Sequence, residues 1–178
     1  MANRYDSFIR YVLSRCNKQK DKGFKARLRK AESETTEFQS WEVLANWGID
    51  ISDRKTRRAF GVLGACAANT GLSQDGRLSL GEGLRFIEKR KETSEQELDS
   101  STSAARLRRL ISCKGSSELL AVLIPVLRLF ASREISICYS RVLQEVIDFD
   151  SESRRLDICA RWAQDFYSKG RETEDGTE

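Results

Sequence analysis

Apolar residues recur at helical spacing in segment after segment of this chain, and little else in it could build a core. Tyr5, Phe8, Ile9, Val12 and Leu13 line one face of a helix from about Asn3 to Asn17. A second pattern covers Phe24 to Ala31. A third starts at Thr36, a candidate cap, and runs through Trp41, Leu44 and Trp47 to Gly48. Asp53 reads as the N-cap of a helix from Arg54 to about Asn69. Gln74-Asp75-Gly76 reads as a turn, and Ser79 or Leu80 opens a helix with Leu84 and Ile87 inward. Further helical patterns span Thr102–Cys113, Ser116–Ala131, Ser132 or Ser136 to Ile147, and Ser151–Tyr167. The single proline, Pro125, falls inside one of them and predicts a kink or a break. The single proline and the few β-branched alternations argue against an all-β fold. The expected fold is all-α, a bundle of about eight to nine helices in two small helical halves.

Composition places the boundaries. Residues 1–90 form an N-terminal helical half with a basic segment at 18–30, residues 91–103 a polar linker, and residues 104–168 a C-terminal helical bundle. The polar tail 169–178 is expected to be disordered. A chain of 178 residues with eight Phe and three Trp can bury a core without a metal or disulfide staple. The five cysteines are odd in number and scattered, so they read as small buried hydrophobes in a reducing compartment. Gly61, Gly64, Ala65, Ala67 and Ala68 suit close helix approach. No apolar run reaches the roughly 20 residues that span a bilayer; the most hydrophobic stretch, Leu119–Leu127, contains Pro125 and stops at Arg128. Arg4, Asp6 and Arg10 interrupt the first hydrophobic residues, unlike a secretory signal. A cytoplasmic protein without membrane contact is expected.

The chemistry is as informative for what is missing. No histidine occurs, which removes the commonest general base and zinc ligand. Gly61-Val62-Leu63-Gly64 lies in a helical pattern, not in a phosphate-cradling loop after a strand. The fragment Gly76–Gly83 lacks the spacing and the histidine partner of a nucleophile elbow. Carboxylates at helical spacing, Glu34 with Glu37 and Asp148 with Glu152, read as solvated helix acids. No catalytic activity, cofactor or metal is expected.

Basic residues, by contrast, are patterned. Ala26-Arg27-Leu28-Arg29-Lys30 recurs as Ala105-Arg106-Leu107-Arg108-Arg109, each time with the leucine on the buried line and the cations fanned around the exposed arc. Glu92, Glu95, Glu97 and Asp99 hold a local −4 and the segment from Arg171 a local −3, so a chain of net +4 leaves +11 on the rest. Three basic groups follow: Lys18, Lys20, Lys22, Lys25, Arg27, Arg29 and Lys30; Arg106, Arg108 and Arg109; and Arg133, Arg154 and Arg155. Such surfaces neutralise phosphates without reading bases, and no base-reading module is present. Phe38, Trp41 and Trp47 could stack on bases, but core packing explains them better. The alternative reading is a helical protein–protein adaptor whose basic faces dock acidic partners.

Several of these residues also carry a resemblance. Arg106-Leu107-Arg108-Arg109-Leu110-Ile111, Glu118-Leu119-Leu120, Val142-Leu143, Ile147-Asp148-Phe149-Asp150 and Arg161-Trp162-Ala163-Gln164-Asp165-Phe166-Tyr167 together resemble the CasB-type small subunit of the type I-E CRISPR surveillance complex, Cascade. Leu78-Ser79-Leu80-Gly81 is similar to a serine-leucine-glycine element of that family, and Arg27–Lys30 with Trp41 fall where its N-terminal half has comparable residues. The resemblance covers roughly Phe8 to Tyr167. It implies a non-catalytic, all-helical subunit, present as a pair in a crRNA-guided ribonucleoprotein with the other Cascade subunits. There it would help hold the guide–target hybrid and the displaced DNA strand, leaving sequence reading to base pairing. Lys25, Arg27, Arg29, Lys30, Arg106, Arg108 and Arg109 are the implied phosphate contacts.

Overall fold

A computed structural model describes residues 3–17, 21–92 and 94–168. The tail 169–178, Lys18 and Lys20 lie outside the described residues. The nine α-helices found there are α1 (Arg4–Asn17), α2 (Lys22–Arg29), α3 (Trp41–Asn46), α4 (Arg54–Ala68), α5 (Leu80–Arg90), α6 (Thr102–Ser112), α7 (Ser116–Ser132), α8 (Tyr139–Asp148) and α9 (Glu152–Tyr167). The all-α expectation holds.

Helix α4 is the axis. Every residue from Ala59 to Ala68 is buried, as expected of a helix apolar on all sides, and α1, α2, α3, α7 and α8 pack around it. Its small residues set the distance of approach. A Cβ on Gly61 would lie 2.9 Å from the Ala31 methyl, and one on Gly64 3.0 Å from the Phe8 ring. Phe8 in turn meets Phe60 and Trp47 edge to face, at 5.0 and 5.1 Å between centroids. Trp47 is therefore half-buried and packed against the core. Trp41 stacks under Arg57 at 5.1 Å, whereas Phe38 is exposed.

The second close apposition is α5 on α9. Ser79 caps α5 in a reciprocal box with Glu82: Ser79 N–H donates to the Glu82 carboxylate at 2.6 Å and Glu82 N–H to Ser79 Oγ at 3.2 Å. Ser79 Oγ also donates to Asp165 at 2.6 Å. Gly81 passes so near α9 that a Cβ would sit 2.2 Å from the Trp162 carbonyl. The serine-leucine-glycine element and the arginine-tryptophan-alanine ending thus meet in space.

Other caps also come from across the fold. Asp75 accepts the N–H groups of Tyr139 and Ser140 at 2.7 and 3.0 Å and so starts α8. Asp150 does the same for α7, accepting from Ser116 N–H at 2.6 Å and Ser116 Oγ at 2.9 Å. Burial opposes its ionisation, but these bonds and Lys55 hold its carboxyl below the usual carboxylate range.

The structure revises the sequence reading in detail. Helix α8 begins at Tyr139, later than Ser132 or Ser136, because the chain before it is drawn out alongside Leu78: Cys138 N–H donates to the Leu78 carbonyl at 2.8 Å and Gly76 N–H to that of Ile137 at 3.1 Å. Helix α7 continues through Pro125, so of the expected kink or break it is the break that does not occur. The proline faces outward, while Leu119, Leu120, Leu123, Val126, Leu127 and Phe130 bury the other side, and that packing outweighs the lost hydrogen bond. The third helical pattern divides into a 3₁₀ turn, Glu37–Ser40, and α3. Thr36 does not cap it; its hydroxyl donates to the Lys30 carbonyl at 2.8 Å. Gly48, at φ +89°, ends α3 in a backbone region that favours glycine.

The polar segment after α5 is tied down. Leu98 is buried, Arg85 pairs with Glu95, and Asp99 accepts from Arg108 at 3.0 Å and from Tyr167 at 2.9 Å. One hydrophobic cluster runs from Phe8 to Phe166 through both parts of the chain.

Candidate nucleic-acid interface

Helix α2 shows how the fold presents cations. Asp21 accepts the Phe24 N–H at 2.9 Å, and Phe24 and Leu28 are buried against α4. That anchoring turns Arg27, Arg29 and Lys30 to solvent and leaves Lys25 half-buried. Arg27 is spoken for, 3.0 Å from Glu42. Lys25, Arg29 and Lys30 have no carboxylate within 4 Å among the described residues.

Helix α6 repeats the arrangement. Ser101 caps it through the Ala104 N–H at 3.1 Å, and Ala104, Leu107 and Leu110 are buried. Arg108 is held by Asp99, through the carboxylate at 3.0 Å and the carbonyl at 2.9 Å. Arg106 and Arg109 flank a shallow cleft of about 150 Å³ formed with Ala121, Val122, Pro125 and Val126 of α7. Neither has a carboxylate partner among the described residues.

The third group does not assemble into one surface element. Arg133 is exposed at the end of α7, where its carbonyl accepts from Arg90 at 2.7 Å. Arg154 pairs with Asp148 at 2.5 Å, and Arg155 donates to the Lys114 carbonyl at 2.8 Å.

The densest basic run, Arg54, Lys55, Arg57 and Arg58, lies outside the three basic groups, and its cations are engaged within the fold. Arg57 and Arg58 are largely buried and converge on Glu37 at 3.2 and 2.9 Å. Arg58 also donates to the Ala31 carbonyl at 2.7 Å. These cations are structural. Glu34 and Glu37, read as solvated acids, are partners of that run; Glu37 is buried by it, and Glu34 stays exposed. No sequence spacing announces a pairing across some 20 residues.

A second polar network is internal. Glu145 is buried and accepts from the Trp162 indole N–H at 2.9 Å and from Arg141 Nε at 3.3 Å, with Arg161 at 3.7 Å. Trp162 stacks on Phe149 at 5.8 Å. Burial pushes the Glu145 carboxyl above its ordinary value, against the pull of these donors. Among the cysteines, Cys66, Cys113 and Cys159 are buried, and burial pushes the Cys66 thiol up to about 12.

Among the described residues no cluster of three Cys, Asp or Glu side chains is placed to hold a metal ion, and no helix is long and apolar enough to cross a membrane. The fold and surface define an all-α bundle that carries fixed positive charge on helices anchored to a common core. The chain belongs to a known family of such bundles: the model of CRISPR-associated protein Cse2 matches residues 25–167. Cse2 is the small subunit of type I-E Cascade, so this chain is a Cascade small subunit in CRISPR defence, of a structural and in general non-catalytic family that works with the other subunits and crRNA. Neither a curated protein nor a solved structure matched the chain.

Proposed function

We propose that this subunit holds nucleic acid in Cascade through the phosphate backbone, steadying the guide–target hybrid and the displaced DNA strand. The observation that carries this reading is the set of cations without carboxylate partners among the described residues: Arg29, Lys30 and Arg109, which are exposed, and Lys25 and Arg106, which are half-buried. An unpaired guanidinium can take a phosphate without first giving up an ion pair. Arg133 belongs with them. Arg27, Arg108, Arg154 and Arg155 are secondary contacts, since each must exchange a partner it already has. The surface offers charge and no reading of base edges, which suits a complex whose guide does the reading. Association as a pair along the nucleic acid, in the cytoplasm, completes the proposal.

The test is the salt dependence of single-stranded DNA binding by the isolated chain. Each phosphate contact contributes about −0.7 to the log–log slope. Replacing Lys25, Arg29 and Lys30, or Arg106 and Arg109, with alanine is expected to flatten the slope by that amount per contact while helicity is retained. A wild-type slope near zero refutes the reading.

A further inference from the structure

The ends of α5 and α7 meet beside an exposed ring. Phe86 of α5 is 37% exposed, and the Arg90 guanidinium lies over its ring, 4.7 Å from the centroid, well inside the roughly 6 Å reach of a cation–π contact. The same guanidinium donates to the Arg133 carbonyl at 2.7 Å, where α7 ends. Arg90 is thus held on two sides, by its own helix and by a segment 43 residues on. The sequence groups Arg133 with Arg154 and Arg155; the fold sets it beside Arg90. Lys89, Arg90 and Arg133 are all exposed and have no carboxylate within 4 Å among the described residues. Cations are favoured at helix C-termini, but each such terminus carries only about half a unit of negative charge. Two termini against three cations leave positive charge in surplus.

We infer that Phe86, Arg90 and Arg133 form a stacking site for single-stranded nucleic acid, with a base laid on the guanidinium that Phe86 supports and the adjoining phosphates on Arg133 and Lys89. The inference rests on the nucleic-acid reading above and adds to it a site and a preference for unpaired bases. A singly exposed apolar side chain is ordinary. An exposed ring that already carries a fixed guanidinium without a carboxylate partner is a platform. A guanidinium is planar and more weakly hydrated than an ammonium, so it can lie on an aromatic ring and still present its other face and its N–H groups. Its orientation is set before a ligand arrives, which lowers the entropy lost on binding. Every base has a π-face, so such a contact tolerates any sequence, in keeping with a surface that reads no base edges. In a duplex the bases stack on one another and only the phosphates are offered. A single strand offers both, and the combination of plane and cations selects it.

The experiment measures binding of the full chain to oligodeoxythymidylate and to inorganic polyphosphate, which has the charge and no bases. Arg90→Lys keeps the charge and removes the plane. Its oligonucleotide affinity is expected to fall at least about fivefold, the effect of one lost base stack, with polyphosphate affinity unchanged. Phe86→Leu keeps an apolar side chain beneath Arg90, removes the ring and is expected to behave alike; thermal melting verifies the folding of each, and either folded variant suffices. Arg133→Ala is expected to flatten the oligonucleotide's log–log salt slope by about 0.7. Unchanged oligonucleotide affinity in the folded Arg90→Lys and Phe86→Leu variants overturns the site; a loss on replacing Arg106 and Arg109 in the same assay then leaves the wider nucleic-acid reading standing. Equal losses for oligonucleotide and polyphosphate overturn the stack in favour of charge alone. A wild-type chain that does not bind the oligonucleotide overturns both readings together.

Discussion

Gly81→Ala tests the tight apposition of α5 and α9. The added methyl carbon would lie 2.2 Å from the Trp162 carbonyl oxygen, 2.9 Å from Asp165 Cβ and 3.1 Å from the Phe166 nitrogen. Ordinary contact for such atoms is about 3.5 Å, so one helix has to retreat by roughly 1 Å. The obstructing atoms at 2.2 and 3.1 Å are backbone, so no rotamer change relieves them. Retreat also strains the Ser79–Asp165 bond of 2.6 Å and the packing of Trp162 on Phe149. Overpacking of this kind costs about 1–3 kcal/mol and at times more, against a helix-propensity gain from replacing glycine of at most about 1 kcal/mol. The expected net loss is about 2 kcal/mol, a fall in melting temperature of roughly 4–8 °C for a chain of this size. Circular dichroism at 222 nm reads the melt. Gly23→Ala is the control: it also sits in a helix, but its nearest obstacle is a side-chain oxygen 3.9 Å away, and it should melt at or slightly above the wild-type temperature. A Gly81→Ala variant that melts with the control refutes the apposition.

The remaining expectations concern charge. Asp99→Asn frees Arg108 from its carboxylate at 3.0 Å; because an exposed pair of this kind is worth at most about 1 kcal/mol, affinity for single-stranded DNA should rise about two- to fivefold at low salt, and an unchanged affinity removes Arg108 from the interface. Glu145 carries a pH signature. Its folded pKa is raised by burial, so the folded state binds the proton more tightly than the unfolded chain, whose value is about 4.3. The stability it contributes is complete below that value and is lost as pH rises through the raised folded value. Urea melts across that window should show stability falling with pH, and Glu145→Gln should flatten the fall; an identical slope in the variant assigns the dependence to other groups. Asp75→Ala removes the acceptor for the Tyr139 and Ser140 N–H groups and should cost about 1–2 kcal/mol, measured by the same melts. Arg161→Ala should cost less than 1 kcal/mol, because Arg161 is half-exposed and only 3.7 Å from Glu145; a larger loss would make it part of the Trp162 lock.

Most helices could be read from the chain because their signals are local. The apolar lines Phe8–Ile9–Val12–Leu13 and Leu107–Leu110, the Asp53 and Ser79 caps and the small face of α4 need only the sequence around them. The misreadings share a cause. The late start of α8 depends on Leu78, some 60 residues away, and the survival of α7 through Pro125 depends on what its inner face packs against.

The candidate interface divides in the same way. That Arg27, Arg29, Arg106, Arg108 and Arg109 point outward follows from helical period alone, because the leucines between them must point in. Which of them remain free could not follow from it. Arg27 and Arg29 are alike in sequence, but Glu42 reaches only the first; Arg108 and Arg109 are neighbours, but Asp99 takes only one. Arg54 to Arg58 look like the strongest basic site in the chain and are mostly consumed by Glu34 and Glu37. Period fixes direction within a helix, and so the sequence by itself determined the all-α fold, the family and the exposed cationic arcs. Pairing between charges depends on distances of a few ångströms between segments remote in the chain, and these exist only once α2, α4, α6 and α7 are packed.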